Sequence, residues 1–187
     1  MKYSIFSFQV ALPMEGRSDS LFHELSRRLR SAPEEGNYAR MHDHYSSLCK
    51  MLRAESRRFE RGVWDYWDDP SRATNDYQDW VNGLEGREAR RVSAPEDGSP
   101  RYMVFALAML LKYQSESDQR LLRHCNIPEA RLWKRQTFAE LLKGPPMLNF
   151  LHVQSHLAYL LPGTDASLAL TDEDLRGKDW HYLRPLD

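Results

Sequence analysis

Two apolar runs of similar wording, Tyr3-Ser-Ile-Phe-Ser-Phe-Gln-Val-Ala-Leu12 and Tyr102-Met-Val-Phe-Ala-Leu-Ala-Met-Leu-Leu111, stand far apart with a charged, helix-like stretch between them. In the first, Phe6, Phe8, Val10 and Leu12 alternate with Ile5, Ser7, Gln9 and Ala11, the period of two that predicts a strand near 2–12. Pro13 and Gly16 end it. The second run, 101–111, is apolar throughout, and periodicity alone does not separate a buried strand from a buried helix. A strand is expected, because Pro100 precedes it and the first strand needs a partner for its backbone groups. Further on, Val153, Ser155, Leu157, Tyr159 and Leu161 alternate up to Pro162-Gly163 and predict a third strand near 152–161.

The rest of the chain reads as helix and loop. Leu21, Phe22, Leu25 and Leu29 mark a helix that starts after Ser18 and runs to about Arg30. Tyr38, Met41, Tyr45, Leu48, Leu52, Phe59 and Val63 fall roughly on one stripe, which predicts one long helix near 38–66, stopped by Asp68-Asp-Pro70. Another helix, capped near Ser71 or Thr74, carries Tyr77, Trp80, Val81 and Leu84. Ser93–Pro100 is the clearest loop. A short helix is expected near 118–124, one starting at Pro128 and carrying Leu132, Trp133, Phe138, Leu141 and Leu142, and a last one capped at Thr171. The sum is a single α+β domain over 1–187, a sheet of about three strands covered by several helices.

With 187 residues, 41% hydrophobic, 28% charged and a mean hydropathy of −0.68, the chain fits one ordinary soluble core. A net charge of −1 gives no global reason to expect nucleic acid or an anionic membrane. Only Cys49 and Cys125 are present, without a CxxC partner, which favours a reducing, cytoplasmic setting over a disulfide framework. The run from Met103 to Leu111 is far shorter than the ~20 residues that span a bilayer, so no membrane span is expected.

The order and wording of Phe8-Gln-Val-Ala-Leu12, Tyr102-Met-Val-Phe-Ala-Leu-Ala108, His156-Leu-Ala-Tyr-Leu-Leu-Pro162, and Leu170-Thr-Asp-Glu-Asp-Leu175 with Trp180 to Leu183 resemble the domain-of-unknown-function family 1517 of cyanobacteria and plastids. That family has an N-terminal LQVALL-type strand, a long helix, a second apolar strand and an acidic ending. The resemblance implies a fold and no catalytic residues, since the family has no established activity.

The chemical candidates are few. His152 and His156 stand four apart and with His181 could approach a metal, although no Cys, Asp or Glu follows at a recognised ligand spacing. His42-Asp-His44 with Cys49 is a weaker cluster, because residues two apart on a helix diverge. His124-Cys125 would suit an activated thiol only with an orienting group, and none is legible. There is no GxSxG, no HExxH and no phosphate-cradling loop. Asp65, Asp68 and Asp69 lack the calcium-loop spacing. Arg27, Arg28, Arg30, Arg53 to Arg61, Arg131, Lys134 and Arg135 would bind nucleic acid only if they converged, and mixed-sign solvated faces are commoner. The reading that remains is a non-catalytic interaction or regulatory subunit without cofactor or metal, docking a protein partner. Trp64, Tyr66 and Trp67 would form the contact surface and Arg57, Arg58 and Arg61 a charged rim. The rival readings are a small metal or thiol enzyme and a nucleic-acid binder.

Overall fold

The computed structural model describes residues 2–16, 18–88 and 100–187, apart from the side chains of 83–88. The predicted loop Ser93–Pro100 therefore lies, up to residue 99, outside the described residues. Among the described residues five antiparallel strands form one sheet in the order β4-β3-β1-β2-β5. They are β1 (Tyr3–Pro13), β2 (Arg61–Trp67), β3 (Tyr102–Lys112), β4 (Val153–Leu161) and β5 (Arg184–Pro185). Among the described residues six α-helices accompany them: α1 (Ser20–Arg30), α2 (Tyr38–Ala54), α3 (Ala73–Glu88), α4 (Glu116–His124), α5 (Arg135–Leu141) and α6 (Asp172–Arg176).

The two apolar runs are the central pair. β1 and β3 match along their whole length, from Tyr3 opposite Lys112 to Pro13 opposite Tyr102. β3 is buried on both sides from Tyr102 to Leu111, which is why it reads as continuous apolar sequence rather than alternation. Phe6, Phe8, Val10 and Leu12 of β1 share one face with Phe105, Leu107 and Met109 of β3. Leu21, Phe22 and Leu25 of α1, Leu48 and Leu52 of α2, Leu121 of α4 and Phe138 of α5 close over that face. On the opposite face Ala11, Val104 and Leu161 pack with Leu175, Trp180 and Leu183, and Ile5 and Leu110 pack with Ala73 of α3.

The three-strand sheet and the long helix near 38–66 are corrected. The helix stops at Ala54, a short 3-10 turn covers Ser56–Arg58, and Phe59 is extended. The chain then returns as β2, pairing β1 from Ala11 opposite Arg61 to Ile5 opposite Trp67. The physical reason is that β1 exposes backbone groups on both edges, and only the Val-Trp-Asp-Tyr-Trp segment, rich in strand-favouring residues, follows closely enough to fill the second. Phe59 and Val63 fit the helical stripe by coincidence. β5 pairs only Arg184 with Gly62 and Pro185 with Arg61, too short to show any period. The helix expected from Pro128 is also divided: a 3-10 turn at Glu129–Arg131 precedes α5.

Two buried polar centres fasten the layers. Asp19, rather than Ser18, caps α1 by accepting from the Phe22 amide at 3.0 Å; it also takes the Glu15 amide at 2.8 Å and the Arg58 guanidinium. Burial alone would raise its pKa, but these amides and Arg58 hold the carboxyl below its ordinary value. Asp118, 1% exposed, accepts from Ser4 Oγ on β1, from Tyr66 on β2 at 2.5 Å and from the Gln114 amide at 2.7 Å.

β2 comes so close to α5 that a Cβ on Gly62 would stand 2.3 Å from Phe138 Cε1 and 3.0 Å from the Gln9 carbonyl. Gly62→Ala should therefore cost about 1–3 kcal/mol by overpacking. Urea unfolding measures it, and an unchanged midpoint would contradict this packing.

Candidate functional site: a groove along an open sheet edge

The residues expected to carry function are dispersed. On β2 the alternation of a strand places Trp64 and Tyr66 on the helix-covered face and Trp67 on the other. Trp64 Nε1 donates to the Leu132 carbonyl at 3.4 Å, and Tyr66 is held by Asp118. Trp67 is 40% exposed with Arg72 over its ring at 5.5 Å, beside a 320 Å³ groove that includes Val63, Trp80 and Tyr182. Arg58 is tied to Asp19 and the Pro13 carbonyl, Arg61 stands 3.9 Å from Asp172, and Arg57 points outward.

The histidines do not converge. Nδ1 of His152 meets Ser117 Oγ at 3.0 Å, that of His156 meets Tyr45 OH at 2.9 Å, and that of His181 meets the Lys178 carbonyl at 2.8 Å. His42 turns to the Pro146 carbonyl. Among the described residues no group of three or more His, Cys, Asp or Glu could hold a metal ion. His124 Nε2 is engaged by the Glu140 carbonyl at 2.9 Å. Burial pushes the Cys125 thiol up to about 12, with the charge of Asp65 adding to it, and burial does the same to Cys49. Of the basic residues, Arg28 donates to the Asp43 carbonyl, Lys134 pairs with Asp187, and Arg135 donates to the Phe59 carbonyl at 2.6 Å.

What the structure does bring together lies along β4. Its inner side pairs with β3, and among the described residues its outer side has no strand partner. The register fixes which groups are free. The Met14 amide bonds the Arg101 carbonyl, and Tyr102 exchanges both bonds with Leu170, so odd residues of β3 bond toward β1 and even ones toward β4. On β4 this engages Ser155, Leu157, Tyr159 and Leu161 and turns the amides and carbonyls of His156 and Ala158 outward, while a bulge at Gln154 interrupts the alternation before Val153. His156 and Ala158 find no backbone partner outside the sheet among the described residues. Val153–Leu161 also contains no Lys, Arg, Asp, Glu, Pro or Gly, the residues that usually blunt an exposed edge.

Three cavities follow this edge in sequence. One of 490 Å³ is lined by Glu35, Tyr38, Lys112 and Val153 to His156; the next, of 220 Å³, by Leu29, Pro33, Met41, His44, Tyr45 and His156 to Ala158; the last, of 200 Å³, by Ser26, Arg30 and Ala158 to Leu160. Adjacent cavities share His156 or Ala158, so together they form a groove between β4 and a wall made by α1, α2 and the turn joining them. Aromatic packing shapes its floor: the Tyr45 ring stacks on Phe150 with centroids 5.5 Å apart and meets His156 edge-on at 5.3 Å. Burial raises the Tyr45 pKa and lowers that of His156, whose drop is opposed by Glu35. His44 is 3% exposed, and its Nδ1 is buried without a hydrogen-bond partner. Burial, then the charges of Arg28 and His156, lower its pKa to about 4. Sequence spacing could not reveal this group, since Tyr45 and His156 meet only through the fold.

No family model, no curated protein and no solved structure matches the chain.

Three outcomes follow from this geometry. The thiols of Cys49 and Cys125 should resist an aromatic disulfide reagent at about pH 8 in the native protein and react on unfolding; rapid native labelling would contradict their burial. Arg58→Ala should cost about 3 kcal/mol by stranding Asp19, whereas Arg57→Ala should stay within about 0.5 kcal/mol in urea unfolding. His44 takes up a proton near 6.5 when unfolded and only near 4 when folded. Stability is then complete above pH 6.5 and falls as pH drops from there toward 4, by up to about 3 kcal/mol. Denaturant midpoints across that window should show the fall in the wild type and a much smaller one in His44→Phe.

Proposed function

We propose that this chain is a non-catalytic docking module that takes an extended segment of a partner protein as an added strand on β4. One observation carries the reading: a nine-residue edge without charge or proline, its outward backbone groups unpaired, lies in a groove that continues along it. At ~3.4 Å per residue β4 offers roughly 30 Å of template. Strand addition gains affinity from main-chain hydrogen bonds and selectivity from pockets that take alternate side chains. The buried thiols and the separately engaged histidines weaken the enzyme readings, and the basic residues tied up one by one weaken the nucleic-acid reading. A cytoplasmic setting with reduced cysteines is part of the same proposal. Trp67 and Arg72 offer a separate exposed contact on the far side of the sheet.

A single strand suits the groove better than a second copy. Antiparallel pairing of two β4 edges places both helical layers on the same side of the joined sheet, where the wall of α1 and its following turn would meet its own image.

The decisive substitution is Ala158→Pro. Its amide points outward, so proline removes a docking donor while leaving the β3 ladder intact and should cost less than about 1 kcal/mol; Leu157→Pro breaks the ladder and should cost ~3 kcal/mol or more. Displayed random nine-residue peptides selected on the wild type should lose binding to folded Ala158→Pro. Selection of nothing, or equal binding to both proteins, overturns the proposal. A concentration-dependent dimer that Ala158→Pro abolishes would instead identify a second copy as the occupant.

A further inference from the structure

The middle of the groove contains a group that neither the fold nor the docking of a bare backbone explains. His44 projects from α2 into the 220 Å³ cavity beside His156 and Ala158. It is 97% removed from solvent and makes no hydrogen bond among the described residues. A buried polar group left unpaired costs about 1–3 kcal/mol, so one that persists calls for an explanation. Leu29, Pro33, Met41 and Leu157 make the apolar part of the cavity wall, and Glu35, Tyr45 and His156 line it beside them.

The charges around His44 can be named element by element. Arg28 on α1 acts on it as a cation, and Arg28 Nε is itself buried without a partner. From β4 the facing group is His156, and from α2 Tyr45, both uncharged at neutral pH because burial disfavours their ionised forms. Glu35, on the turn between α1 and α2, is the one carboxylate in the lining of the three cavities, while Lys112 and Arg30 stand toward the two ends. The fixed charge acting on His44 is thus that of Arg28, while Glu35 acts on His156, and a hydrogen-bond acceptor bearing negative charge fits beside His44. A neutral hydroxyl or amide could meet His44 but would leave the field of Arg28 unanswered.

We infer that the docked segment is acidic, and that the carboxylate of an Asp or Glu on it enters the cavity beside His156 and Ala158 and accepts a hydrogen bond from His44 Nδ1. This rests on the docking reading and adds the chemistry of the partner to it. Charge complementarity acts at the two ends of the groove, where Lys112 and Arg30 favour an acidic chain; Glu35 opposes one between them, and His44 selects one position within it. The carboxylate stabilises the protonated imidazole, so binding promotes proton uptake by His44.

Sequencing the peptides that bind wild type but not Ala158→Pro tests this directly. The expected result is an Asp or Glu enriched at one fixed position among alternating apolar residues. Changing that residue to Asn or Gln in a selected peptide should weaken binding at least tenfold in the wild type and little in His44→Ala. Affinity should rise as pH falls below 7, and the His44 resonance of the bound protein should titrate above its free value of about 4. Peptides that need the β4 edge but show no acidic preference, or bind as well with Asn as with Asp, overturn the inference and leave docking standing. A selection that yields no peptide dependent on Ala158 removes both. Should His44→Ala fail to fold, His44→Phe serves in its place, since it fills the volume of the ring and removes the donor.

Discussion

The pairing of β1 with β3 is the constraint on which the rest of the molecule depends. Two eleven-residue strands brought together from distant parts of the chain leave two further edges and two apolar faces to be satisfied. β2 satisfies the free edge of β1 and β4 that of β3. The faces draw α1, α2, α4 and α5 to one side, and α3 and the C-terminal segment to the other. Asp118 binds these decisions into one: it accepts from Ser4 near the start of β1, from Tyr66 near the end of β2 and from the turn after β3. Loss of any of those strands would leave a buried carboxylate short of donors, so sheet order and helix cover are coupled.

The sequence is most legible where the pattern of a segment and its environment agree. β1 alternates because Phe6, Phe8, Val10 and Leu12 fill the larger core on one face while the smaller or polar Ser7, Gln9 and Ala11 lie on the other, β3 is uniformly apolar because both of its faces are covered, and α6 announces itself through Thr171 and Asp174, which cap it reciprocally. Legibility fails at residues 55–67, where Phe59 and Val63 continue a helical spacing although the chain has turned. Only the need of β1 for a second neighbour decides the matter, and that need is not local. For the same reason the helical spacing misplaces the aromatic trio: a strand sends Trp64 and Tyr66 one way and Trp67 the other. The groove was invisible for a further reason, since Tyr45, His156 and His44 acquire meaning only from long-range packing.

The two edges of the sheet are treated differently, and the difference bears on function. β2 carries Arg61 and Asp65, and β5 covers its first residues. β4 carries no charge and no proline, although an exposed apolar edge invites aggregation. What shields it is the wall of α1 and the following turn, which narrows the approach without supplying backbone partners. A shielded but unpaired edge is a compromise between safety and use: open enough for one strand, too confined for a sheet.

In the proposed docking, the interior of the groove would divide the work of recognition. His156 and Tyr45 satisfy each other, so the floor is largely neutral, and unpaired main-chain groups can bond any extended chain without regard to its side chains. Such bonds give affinity with little discrimination. Lys112 and Arg30 lie near solvent, where salt screens charges beyond about 10 Å, so they steer approach more than they select. In the proposed docking, discrimination would therefore fall to His44, which lines the groove with its Nδ1 buried and unpaired. Because His44 is desolvated, a partner that leaves it unpaired continues to bear the cost of its burial, whereas one that completes its hydrogen bond removes that cost. The same burial that makes His44 a liability in the free protein is what would make it selective in the complex.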